Sequence, residues 1–159
     1  MPGLTHLNIA IRDASANDIP EIVRQRRGMF EDMNYKDSTS LDAMMLATSN
    51  YLAQAMIEGS FRAWLAFDGE HVVGGGAVVI SAWPAHPCDM GNLRAEILNV
   101  YTYPAYRRCG IARKIMHTMI DWCKREGFAR VTLHTSDEGR HLYESMGFVP
   151  TNEMRLGLR

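Results

Sequence analysis

The chain reads as an α+β (mixed α/β) fold on three observations. Two helical stripes of apolar residues precede the first long strands, two β-rich runs flank Asp68-Gly69 as the arms of a hairpin, and strand-like and helix-like segments alternate after Arg94. A length of 159 residues suits one hydrophobic core, so residues 1–159 are expected to form a single domain.

Each element follows from local chemistry. Residues 8–12 alternate weakly as a short first strand. Ser15 or Asn17 can cap the next helix, and Pro20 favours the later cap. Ile19, Ile22, Val23, Met29, Phe30 and Met33 then recur at helical spacing, as do Leu41, Met44, Met45 and Leu52 across residues 40–58. Residues 61–67 and 71–80 are the hairpin arms, and residues 94–103 a third long strand. The connection over residues 81–93 exceeds the usual length of about 4 to 6 residues, and loops of that length are often functional. A helix beginning near Arg108 puts Ile111, Ile115, Met116, Met119, Ile120 and Cys123 on one face, and Gly127 stops it after Lys124 and Arg125. A strand over 131–134, a short helix over 137–146 ended by Gly147, and a last strand over 148–156 complete the order.

Composition narrows the functions open to this fold. Hydrophobic content of 47% with 22% charged residues is that of a soluble globular chain. A formal net charge of −1 argues against a nonspecific nucleic-acid binder, which needs a broad excess of Lys and Arg. Cys88, Cys109 and Cys123 are too few for a disulfide framework, and no pair has metal-ligand spacing, so no metal is expected and a reducing cytoplasm fits. The start lacks a basic region followed by an apolar stretch, and no apolar run approaches the roughly 18 residues of a membrane span.

The local concentration of chemistry is "YPAYRRCGIARKIM", residues 103–116. A β-rich run gives way there to a helical pattern through a glycine, with Arg107, Arg108 and Arg113 close by. The first amides of a helix lack intrahelical partners, and with the helix dipole they favour a phosphate. Gly110 lets such a ligand approach the backbone, although the turn has neither of the two familiar glycine-rich phosphate patterns.

In its context, residues 98–112, the segment resembles motif A of the GCN5-related N-acetyltransferase (GNAT) superfamily, Arg/Gln-x-x-Gly-x-Gly/Ala after a strand, through Arg107, Gly110 and Ala112. The run "LYESMGF", residues 142–148, resembles motif B. The resemblance implies a mostly antiparallel twisted sheet of about six or seven strands, splayed at the motif A strand and flanked by about four helices. It also implies a site for acetyl-CoA as co-substrate, its pyrophosphate on Arg107 and the amides of Arg108, Cys109, Gly110, Ile111, Ala112 and Arg113. Val100, Tyr101 and Thr102 would pair by their backbones with the pantetheine arm and acetyl group, and Ser136 stands where relatives often hold an asparagine.

Attack on a thioester needs a neutral amine, and an alkyl ammonium is short of that at pH 7 by about 4 to 5 kcal/mol. Glu96 is the candidate base, eleven positions before Arg107, the offset of the glutamate base in histone acetyltransferases of the superfamily; a water chain is the other route. The departing thiolate needs a proton, and Tyr143 holds the position of the family's usual general acid. Cys109 and Cys123 read as passive, His134 as at most a water-ordering group, and the eleven methionines as core filler.

The resemblance thus implies an N-acetyltransferase acting by direct attack of a primary amine, from a small molecule or peptide, in a ternary complex. The alternative is a noncatalytic acyl-CoA sensor or regulatory module. The acceptor pocket is expected between residues 26–35 and the 81–93 loop, where Glu31, Asp32 and Asp89 would draw a cationic amine. No nucleic-acid or membrane partner is expected, and homodimerisation through an exposed strand or the early helices stays open.

Overall fold

The computed structural model describes residues 7–159. In chain order these form β1 (Ile9–Asp13), α1 (Ile19–Asp32), α2 (Ser38–Glu58), β2 (Phe61–Asp68), β3 (His71–Ala82), β4 (Leu93–Thr102), α3 (Ile111–Arg125), β5 (Val131–Leu133) and α4 (Asp137–Ser145). Two short 3-10 turns, Ala16–Asp18 and Pro104–Tyr106, precede α1 and α3.

Local signals account for the boundaries. Neither Ser15 nor Asn17 caps α1: Asp18 stands at its N-cap, and Ser15 caps the 3-10 turn ahead of it. The Ser15 amide donates to Asp18 Oδ2 at 2.8 Å, while Arg12 forks onto both carboxylate oxygens at 2.8 and 2.9 Å. That fork holds the Asp18 carboxyl at about 2, against an ordinary 3.8. Helix α2 starts two residues before the expected Ser40 because Asp37 is its cap, accepting from the Ser40 amide.

The sheet runs β1-β2-β3-β4-β5, antiparallel throughout except for the parallel β4–β5 pair. Helix α3 covers one face, sealing Trp64, Val73, Val78, Ala95 and Ile97 beneath Ile111, Ile115, Met116 and Met119. Helices α1 and α2 cover the other, with Ile22, Val23, Leu52 and Ala55 against Phe61, Ala63 and Ala77. Burial of this order, about 25 cal/mol per Å2 of apolar surface, is the main term holding the layers together.

Strand β4 is irregular in the two places that matter for a site. Its ladder with β3 slips between Gly75 and Ala77, which face Tyr101 and Leu98, so Asn99 and Val100 oppose the lone Gly76. Asn99 is buried and left-handed, with φ +56°. On the opposite edge β5 pairs only with Ala95, Glu96 and Ile97, which leaves Leu98, Asn99, Val100, Tyr101 and Thr102 without a ladder partner on that side.

The expected last strand does not form. Residues 148–159 have no regular secondary structure, Pro150 supplies no amide donor, and Val149, Met154, Leu156 and Leu158 are exposed. Five strands are therefore present among the described residues, against the six or seven anticipated, with four α-helices as expected.

The close β3–β4 approach makes its own prediction. A Cβ at Gly74 would sit 2.5 Å from the Tyr101 carbonyl oxygen. Gly74→Ala should lower stability by about 1 to 3 kcal/mol, read as a lower urea midpoint at unchanged slope. The Arg12–Asp18 fork makes another: because the folded carboxyl lies below its ordinary value, its contribution is present above about pH 4 and lost as pH falls toward 2. Asp18→Asn should flatten that part of the acid unfolding curve.

Candidate functional site

Strand β4 delivers the chain to the turn, and two left-handed residues shape the entry into α3. Arg108 has φ +61° and Gly110 φ +77°, so helical geometry is postponed to Ile111 rather than beginning near Arg108. No atom lies within 4 Å of a Cβ built on Gly110, so the glycine answers a backbone requirement and faces open space. Lys114 donates to the Gly110 carbonyl, but the amides of Arg108, Cys109, Gly110, Ile111, Ala112 and Arg113 find no acceptor among the described residues. They lie at the positive end of a 15-residue helix, an arrangement of a kind that suits an anion.

The arginines around these amides divide their work. Arg107 Nε donates to the Thr102 carbonyl at 2.8 Å and its Nη2 to Asp32 at 2.6 Å, while its guanidinium covers the Tyr101 ring. Its side chain is thus a strut from the turn to the end of α1. Arg113 bonds the Ser145 hydroxyl at 2.8 Å and ties α3 to α4. Arg108 is exposed.

Behind the turn, β4 runs from Leu98 to Thr102 without a ladder partner on the β5 side. Thr102 Oγ1 is buried without a hydrogen-bond partner, an orphan of the kind that a bound ligand satisfies. The Tyr101 hydroxyl lies against Gly28, where a Cβ would be 2.6 Å from it, so α1 packs tightly over the strand. Burial pushes the Tyr101 phenol up. Tyr103 anchors the other end of α1, donating to Glu21 at 2.7 Å, and burial with that bond takes its phenol to about 12.

Glu96 meets His134. The His134 ring takes Glu96 Oε1 at 2.8 Å on Nδ1 and Glu153 at 3.2 Å on Nε2, and these two bonds, Glu153 first, raise its pKa. Arg94 stacks on Trp83, 3.8 Å from the ring centre. Tyr143 on α4 is largely buried, edge-on to Phe148, and burial raises its phenol so that it keeps its proton at neutral pH. Ser136 caps α4, accepting from the Gly139 amide at 3.3 Å, which makes it a structural cap.

The acidic side chains expected to draw a cation are already occupied. Glu31 pairs with Arg27 at 2.7 Å, Asp32 with Arg107, and Asp89 accepts from the Gly91 amide at 3.0 Å. The loop after β3 closes on itself through Trp83–Asn92 and His86–Asp89 backbone bonds, at the end of β4 opposite the turn. Sequence reasoning put Arg26 at the start of the expected acceptor region but missed Asn99 and the 2.6 Å bond that joins the two between α1 and the β4 bulge. Asn99 was signalled by its type, since asparagine inside a β-branched run favours a left-handed bulge residue; Arg26 carried no such signal.

Both strands of geometry, a strand edge left open and unpartnered amides at its end, meet their counterpart in known proteins. Residues 27–148 match the model of the acetyltransferase (GNAT) family. The chain belongs to this family. N-acetyltransferase 8 of Homo sapiens is 29% identical over 122 residues, covering 75% of this chain and 50% of the human protein. YsnE of Bacillus subtilis, named as an uncharacterized N-acetyltransferase, is 27% identical over 90 residues, or 54% of each chain. The chain therefore spans about half the length of these curated relatives.

Solved structures extend the likeness to the whole fold. A GCN5-related N-acetyltransferase from Ralstonia eutropha JMP134 superposes with a TM-score of 0.88 at 28% identity, over 95% of this chain and 99% of that one. An acetyltransferase of Clostridium acetobutylicum, solved with acetyl-CoA, gives a TM-score of 0.86 at 22% identity, over 94% and 96%. The α+β GNAT architecture is thereby established, and acetyl transfer is the general chemistry of the family. Among the described residues no helix is long and apolar enough to cross a membrane.

The cysteines give a direct test of the surroundings of the site. Cys123 is buried on the inner face of α3 and its thiol is pushed up to about 11, whereas Cys88 and Cys109 are exposed. A disulfide reagent at pH 8 should titrate two thiols quickly and the third only after unfolding. Rapid release of three would show that α3 is not seated as described.

Proposed function

We propose that the protein transfers acetyl from acetyl-CoA to a primary amine of a small-molecule or peptide acceptor, by direct attack in a ternary complex. One observation carries this reading: the unpaired edge of β4 runs straight into six unpartnered amides at the start of α3. An extended amide-bearing arm suits the first and a diphosphate the second, and the orphaned Thr102 hydroxyl at their junction is consistent with a ligand passing there.

Acetyl-CoA supplies the activated thioester, and the remaining work falls to side chains. Val100, Tyr101 and Thr102 offer backbone groups along the open edge, while Arg108 and the amides of Cys109, Gly110, Ile111, Ala112 and Arg113 receive the diphosphate. Glu96 takes the ammonium proton. Its Oε1 is committed to His134, which leaves Oε2 for that task. His134, held between two carboxylates with a raised pKa, orients Glu96 and offsets part of the charge beside it. Tyr143 retains its proton in its buried site and gives it to the departing thiolate.

These roles predict separable kinetics. Tyr143→Phe should lower kcat about 100-fold while calorimetry finds coenzyme A affinity unchanged. Gly110→Trp should do the reverse, weakening coenzyme A binding through the filled turn. Thiol release over a panel of amines checks the reaction itself. Tight acetyl-CoA binding with no amine-dependent release would reassign the fold here to an acyl-CoA sensor.

A further inference from the structure

Helix α1 carries three arginines, and two of them are matched to acids. Arg24 pairs with Glu21, and Arg27 with both Glu31 and Asp42. Arg107, which reaches α1 from the turn, has Asp32. Arg26 is the exception. Its one side-chain hydrogen bond among the described residues goes to a neutral amide, Asn99 Oδ1, at 2.6 Å, and no carboxylate lies within ion-pair distance.

The surroundings of Arg26 are those of a recognition group. The guanidinium is half-buried and lies 5.0 Å from the centre of the Phe30 ring. Burial lowers its pKa. A half-buried guanidinium over one aromatic ring, with a neutral amide as its side-chain partner and no carboxylate paired to it among the described residues, keeps donors free for an anion. Its two neighbours on α1 each hold an acid, and Arg26 does not.

Its position ties it to the acceptor. Asn99 is the bulged residue of β4, at the point where the strand loses its β5 partner. Glu96 lies three residues earlier, opposite Val79, on the face of the sheet that α1 and α2 cover. The two positions are about 10 Å apart along the strand. An amine at the Glu96 carboxylate, directly or through one water, therefore leaves the far end of a short acceptor beside Arg26.

We infer that Arg26 is a specificity-determining residue that binds an oxyanion on the acceptor, a carboxylate or a phosphate, so that the preferred substrates are anionic amines such as amino acids rather than polyamines. The assignment rests on the acetyl-transfer reading above. A planar guanidinium presents paired donors that match either oxyanion, and Asn99 engages only one of its nitrogens, leaving the others without a side-chain partner among the described residues. The engaged acids Glu31 and Asp32 fit the same picture, since neither is left to select a polycation.

The test compares free L-amino acids with their C-terminal amides, and phosphoethanolamine with ethanolamine, following thiol release from acetyl-CoA. Wild-type kcat/KM should be at least about tenfold higher for one anionic series than for its neutral partners, chiefly through KM. The series that shows the preference tells carboxylate from phosphate. Arg26→Met should collapse that ratio toward one, and Arg26→Lys should restore part of it, with coenzyme A affinity by calorimetry showing that both variants fold. Turnover that favours neutral or polycationic amines, or a ratio that survives Arg26→Met, overturns the assignment alone. Binding of acetyl-CoA with no turnover of any amine overturns the acetyl-transfer reading and this one with it.

Discussion

The structure turns on a broken strand. Up to Ile97, β4 is an interior strand bonded on both edges; beyond it the β5 side is bare, and the bulge at Asn99 and Val100 bends the chain away from regular pairing with β3. Unmet backbone groups inside a sheet are unfavourable, so a fold that retains them needs supports around the gap. Gly74, Gly75 and Gly76 give β3 the room to follow the bulge, and Tyr101 and Tyr103 pin α1 across it. The opening is bounded by residues chosen to maintain it.

Charge around this opening is arranged by pairing rather than by excess. The chain is close to neutral overall, and near the site most acids on α1 already hold an arginine. Exposed pairs of this kind add only about 0 to 1 kcal/mol each to stability. Their larger effect is to cancel local fields, so that the few unmatched groups stand out against a quiet background. The amides at the head of α3 are one such group and the Arg26 guanidinium is another.

Much of this was legible in the sequence, for reasons that differ by element. The hairpin about Gly69, the α3 stripe and the Gly127 stop depend on neighbours a few positions away, and they appear within a residue or two of where periodicity and turn chemistry put them. The glycine-bearing turn into α3 was legible for the same reason, since Arg107, Gly110 and Ala112 sit in one short run. Pairings across long separations were not. Nothing in the letters joins Glu96 to His134, or Arg26 to Asn99 73 positions away, because those contacts depend on how layers stack. The last strand failed for a related reason: apolar spacing in residues 148–156 suggests a strand, but pairing needs an edge in register, and Pro150 removes one donor from it.

The Arg107 strut links the two halves of this site mechanically. One guanidinium grasps the carbonyl of Thr102, where the open edge ends, and the carboxylate of Asp32, where α1 ends. Helix α1 also carries Arg26, so the surface that would meet an acceptor and the turn that would hold a diphosphate are braced against each other by a single side chain. A displacement at the turn is resisted through the same guanidinium that fixes the end of α1, which gives the two regions a shared point of mechanical support.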